Sequence, residues 1–83
     1  MKIGILDIGS NTVKGFVYRV SEDGFSVTAH KSFHTGLMGY VSGGVMTAEG
    51  VGLLLRDGSV ILDFLKEAGC AHIWAFATSA TRD

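Results

Sequence analysis

Two short, nearly continuous apolar runs, KIGILD at residues 2–7 and HIWAFA at residues 72–77, constrain the fold more than any other feature. A strand apolar at successive rather than alternate positions reads as covered on both faces, as in parallel or mixed sheets. Parallel neighbours need a crossover that returns the chain to the same end of the sheet, usually a right-handed one through a helix. The residues before HIWAFA supply that helix. Val51, Leu54, Leu55, Gly58, Ile61, Leu62 and Leu65 form one stripe at helical spacing, while Arg56, Asp57, Asp63, Lys66 and Glu67 face away. Thr47 is placed as its N-cap, Glu49 falls in the first turn, and Gly69 follows as a C-cap. Gly50, Gly52 and Gly58 each cost such a helix roughly 1 kcal/mol against alanine.

Between these elements, residues 13–20 (VKGFVYRV) are rich in β-branched and aromatic side chains and predict a second strand. Ser21-Glu22-Asp23-Gly24 is a turn. Residues 25–34 then alternate: Phe25, Val27, Ala29, Lys31 and Phe33 on one face, Ser26, Thr28, His30, Ser32 and His34 on the other. Residues 35–46 hold Gly36, Gly39, Gly43 and Gly44 and are expected to form a mobile loop. Thr78 or Ser79 offers a helix N-cap after HIWAFA. The predicted order is three antiparallel strands, a helix, and a fourth strand parallel to the first. One helix is too little to cover two such strands, and HIWAFA at an open edge is an aggregation hazard. The 83 residues therefore read as the front part of a larger domain, with self-association through that edge as the other way to cover it.

The composition is that of a folded chain, 47% hydrophobic and 18% charged, without proline. A net charge of −1 and scattered Lys and Arg give no basic field for nucleic acid. No stretch approaches the ~20 apolar residues of a membrane-spanning helix, and the N-terminus lacks a signal-peptide pattern. One cysteine, Cys70, cannot form an internal disulfide, and a cytoplasmic location is the default expectation.

Chemistry concentrates at Asp7-Ile8-Gly9-Ser10-Asn11-Thr12, the tip between the first two strands. Gly9 lets backbone approach a ligand, successive amides in a tight turn form an anion-binding concavity, and the Ser10 and Thr12 hydroxyls add donors. Asp7 would be repelled by phosphate but can hold Mg²⁺ through waters. Lys14 adds a positive charge. The plainer reading is a polar hairpin whose Asp and Asn bond their own backbone.

The stretch LDIGSNTVKGFVY resembles the first phosphate loop of the exopolyphosphatase/guanosine pentaphosphate phosphatase (Ppx/GppA) family, and ATSATRD at residues 77–83 resembles that family's Ala-Thr-Ser-Ala-x-Arg segment. Sugar kinases of the same superfamily usually carry Asp-x-Gly-Gly-Thr, so Ser10-Asn11-Thr12 favours Ppx/GppA. The resemblance spans the chain, although Met38 stands where the family often has glycine. It implies an α/β, ribonuclease-H-like domain of the actin, sugar-kinase and heat-shock-ATPase superfamily, incomplete here. It also implies release of terminal phosphate from polyphosphate or guanosine pentaphosphate by water. Gly9, Ser10, Asn11, Thr12, Lys14, Ser79 and Arg82 are then the phosphate-binding candidates, with Mg²⁺ near Asp7. The catalytic base is expected beyond Asp83, so the segment alone is expected to be inactive. The alternatives are an ATP-binding kinase or ATPase of the same fold, and a non-catalytic phosphate-binding or oligomerising module.

Ser10 and Ser79 lack a G-x-S-x-G elbow or a base placed by spacing, which argues against nucleophiles. His30 and His34 lie about 13 Å apart on one strand, too far to share a metal ion. His72 reads as structural, Cys70 as a small packed residue, and Trp74 and Phe76 as core.

Overall fold

The computed structural model describes residues 1–77, so the helix N-cap expected at Thr78 or Ser79 and the phosphate candidates Ser79 and Arg82 lie outside the described residues. Strands β1 (Lys2–Ile8), β2 (Val13–Ser21), β3 (Gly24–Phe33) and β6 (His72–Ala77) form one sheet in the order β3-β2-β1-β6. β1 pairs antiparallel with β2 and parallel with β6, and helix α1 (Ala48–Glu67) lies in the connection that carries the chain from β3 across the sheet to β6. The anticipated strand–helix order is thus the observed one. No helix of the described residues is long and apolar enough to cross a membrane.

The helix ends as its caps dictate. The Thr47 side chain accepts from the Gly50 amide at 3.2 Å, and Gly69 adopts φ +82° just past the last turn. The Gly69 amide donates to the Lys66 carbonyl (3.0 Å) and the Cys70 amide to the Leu65 carbonyl (3.4 Å), a Schellman closure that left-handed glycine makes cheap. Between Gly4 and Leu65, Cys70 is half-buried, and burial pushes its thiol pKa upward against a smaller lowering effect of Lys2. It is therefore a weakly nucleophilic packing residue.

The face of α1 that packs is rotated from the anticipated stripe. Gly50, Asp57, Ile61 and Leu65 are buried, with Leu54, Phe64 and Ala68 against the same core. Val51 and Leu55 are exposed instead. The rotation brings Ile61 and Leu65 over Leu6, Val13 and Val17, and the missing side chains of Gly4 and Gly15 let α1 approach the sheet closely. Asp57, expected to face away, is 5% exposed.

Two further expectations are corrected. A bulge opposite Val17 and Tyr18 leaves Thr28 as the extra residue in β3, so the side-chain alternation reverses there. Ala29, Lys31 and Phe33 share the α1 side with Val13, Gly15 and Val17, whereas Phe25 and Val27 lie on the opposite face with Tyr18 and Val20. Residues 35–46 are also more regular than a mobile loop. Leu37–Tyr40 form a 3₁₀ turn whose Leu37 is fully buried, and β4 (Val41–Ser42) pairs with β5 (Val45–Met46). Gly43 and Gly44, at φ +61° and +82°, supply the two positive-φ positions of that tight hairpin.

The sheet face away from α1 carries Ile3, Ile5, Phe16, Tyr18, Trp74 and Phe76. Trp74 and Phe76 are 58% and 55% exposed, so among the described residues they are not core, and His72 is exposed beside Ile3.

The helix glycines are not equivalent. A Cβ at Gly50 would stand 2.5 Å from Tyr40 Cβ, whereas one at Gly58 meets nothing within 4 Å. Gly58→Ala is expected to raise stability by about 1 kcal/mol, while Gly50→Ala lowers it despite the same gain in helix propensity. Denaturant midpoints of the two variants check the opposite signs.

Candidate functional site

β1 and β6 run parallel and end together, Ile8 beside Ala77. The β1–β2 loop, the end of β6 and the N-terminal part of α1 consequently share one edge of the molecule. Asp7 and Lys14 face each other across β1 and β2, on the face away from α1, and both are half-buried. Among the described residues no ion pair joins them; Arg56–Asp57 is the pair present.

The loop itself is short and held at both ends. The Gly9 amide donates to the Thr12 carbonyl at 2.7 Å, closing residues 9–12 above the Ile8–Val13 pair. A second segment buttresses it: the Gly36 amide donates to the Asn11 carbonyl (2.9 Å) and the Met38 amide to the Ser10 carbonyl (3.1 Å). This has a geometric consequence. No peptide bond here is cis, and in a trans peptide C=O and N–H point in opposite directions. Fixing the Ser10 and Asn11 carbonyls toward residues 36–38 directs the Asn11 and Thr12 amides away from them. Two successive amides, in a loop whose sequence also carries the Ser10 and Thr12 hydroxyls, then point away from residues 36–38, an arrangement suited to an anion.

Asp7, Gly9, Ser10, Asn11, Thr12 and Lys14, anticipated as one site, are therefore adjacent. Among the described residues no three His, Cys, Asp or Glu cluster as a metal site. A single carboxylate near phosphate donors still fits Mg²⁺, which keeps most of its waters and takes one or two carboxylates plus substrate oxygens. His30 does not join the site and instead packs its ring 6.3 Å from that of Phe16.

Sequence reasoning gave Thr35, Gly36, Met38 and Asp57 no part in the site. The Thr35 hydroxyl donates to Asp57 Oδ2 at 2.7 Å, and Arg56 Nε donates to Oδ1 at 3.1 Å. The available signal was Asp57 itself, a charge spaced three residues after Leu54 and four before Ile61 on the helix.

A mixed sheet with a βαβ return, and a polar loop where the first hairpin turns, define a segment of the actin-like ATPase fold. No protein-family model matches the chain. Over its full length it is similar to Exopolyphosphatase 1 of Mycobacterium tuberculosis and of Mycobacterium bovis, 38% identical across 94 aligned residues. It spans about a quarter (25%) of the length of these curated relatives. Among solved structures, an exopolyphosphatase from Cytophaga hutchinsonii superposes with TM-score 0.88 at 26% identity, covering 99% of this chain and 27% of that one. The Aquifex aeolicus Ppx/GppA enzyme superposes with TM-score 0.87 at 22% identity, covering 99% and 28%. Over its full length the chain is thus similar to a fragment of the exopolyphosphatase, or Ppx/GppA, family.

Proposed function

We propose that residues 7–14 form a phosphate-binding loop in a phosphoanhydride hydrolase that releases terminal phosphate from polyphosphate or guanosine pentaphosphate. The observation that carries this reading is the pair of buttressed carbonyls at Ser10 and Asn11, which turns the Asn11 and Thr12 amides away from residues 36–38 and leaves them available to an anion. The loop binds and orients phosphate oxygens through these amides and the Ser10 and Thr12 hydroxyls. Lys14 offsets their charge. Asp7 holds Mg²⁺ through water, and the ion, when bound, shields the negative charge of the phosphate chain. Ser79 and Arg82, outside the described residues, are further phosphate contacts in this reading. The 83 residues act within a larger domain, a reading supported by the apolar face of Ile3, Ile5, Trp74 and Phe76, on which Trp74 and Phe76 stay exposed among the described residues.

The test is phosphate release from polyphosphate by the complete protein, with and without EDTA. Activity that falls by at least about tenfold when the divalent cation is removed is the expected result. Release that requires an adenine nucleotide would instead mark a kinase or ATPase. Saturable polyphosphate binding with no turnover would mark a non-catalytic module.

A further inference from the structure

We infer that Asp57 is a positioning residue for phosphate binding, acting through Thr35 and residues 36–38 on the backbone of Ser10 and Asn11. The inference rests on the reading of residues 9–12 as a phosphate loop, and it adds a device that sets the loop's geometry.

A carboxylate in the middle of a helix, 5% exposed and between Leu54 and Ile61, is costly unless its oxygens are hydrogen-bonded. Both of its oxygens are engaged, Oδ2 by the Thr35 hydroxyl and Oδ1 by Arg56 Nε. The Arg56 side chain is 65% exposed and screened by water, so the Thr35 bond is the better-defined of the two. Thr35 is followed at once by Gly36, whose φ of +69° turns the chain so that the Gly36 and Met38 amides meet the hairpin. Leu37, fully buried, anchors the same turn by packing.

Packing and polar bonding divide the work. Burial of Leu37 is non-directional and leaves the turn free to rock, whereas a hydroxyl–carboxylate bond sets direction. The Asp57–Thr35 bond therefore fixes the rotation of residues 36–38. These in turn hold the Ser10 and Asn11 carbonyls back and keep the Asn11 and Thr12 amides outward. A loop ordered before the ligand arrives loses less entropy on binding, which is felt as affinity.

The experiment uses the complete protein with polyphosphate as the probe. Asp57→Ala removes a buried charge partner and risks the fold, so the test rests on Thr35→Val, which deletes the hydroxyl, and Thr35→Ser, which keeps it. Thr35→Val is expected to raise KM for polyphosphate about tenfold, with kcat less affected, the size of one lost hydrogen bond to a charged group. Thr35→Ser should stay within about twofold of wild type. Hydrogen exchange at the Gly36 and Met38 amides should accelerate in Thr35→Val and not in Thr35→Ser. An unchanged KM in the folded Thr35→Val protein, even with a lower melting temperature, would overturn the inference and leave Asp57 a packing device. Should the wild-type protein release no phosphate from polyphosphate, the functional reading fails. Exchange at Gly36 and Met38 then decides the tether by itself: acceleration only in Thr35→Val supports it, and equal exchange in all three proteins overturns it.

Discussion

Ile61→Ala is expected to cost about 2–5 kcal/mol, a large share of the stability of a small domain. Ile61 is fully buried, and its Cγ2 occupies the space where a side chain on Gly15 would begin. The helix thus rests on a bare stretch of β2, with Val13 and Val17 on either side. Removing the isoleucine leaves a cavity at the closest helix–sheet approach. The reciprocal change, Gly15→Ala, forces Ile61 and the helix outward and should cost about 1–3 kcal/mol by overpacking. The two sites are in contact, so their effects should not add. In Gly15→Ala/Ile61→Ala the new methyl occupies part of the cavity, and the double variant should lose less stability than the sum of the single ones. Denaturant unfolding of the four proteins, followed by circular dichroism, measures this. Simple additivity would show that α1 does not rest on Gly15.

Asp7→Asn is expected to lower phosphate release by the complete protein by about a hundredfold or more while leaving its stability nearly unchanged. The substitution keeps shape and removes charge. Asp7 is half-buried and has no ion pair among the described residues, so no folded-state interaction of that kind is lost. Its proposed role is to hold hydrated Mg²⁺ beside the phosphate chain, and a neutral amide holds that ion far more weakly. Raising the Mg²⁺ concentration should recover part of the loss. An Asp7→Asn protein with wild-type activity at ordinary Mg²⁺ would remove Asp7 from the metal site, and Mg²⁺ would then have to be held by other residues.

Much of the architecture was legible in the chain alone. KIGILD and HIWAFA became β1 and β6 because only a parallel pairing with a helical return suits two such runs. Thr47 and Gly69 marked the helix ends because unsatisfied amides and carbonyls need those residue types there. The candidate loop was legible for a similar local reason, since Asp7 to Lys14 are contiguous and the hairpin holds them together whatever surrounds it.

What the sequence concealed depends on partners distant along the chain. The bulge at Thr28 moved Phe25 and Val27 to the other face, because strand register is settled by pairing with β2 and not by alternation within β3. The glycine-rich residues 35–46 became ordered because Leu37 found the core and two of their amides found the hairpin carbonyls. Asp57 lies 22 residues from Thr35, and nothing in either residue's neighbourhood announces that hydrogen bond. The chain by itself therefore determined the four strands of the main sheet, the helix, their order and the candidate loop, all consequences of local chemistry and periodicity. Only the tertiary structure decided which face of α1 packs and which way the loop's amides point. Both depend on the close fit of Ile61 over Gly15 and on a buried carboxylate meeting its donor.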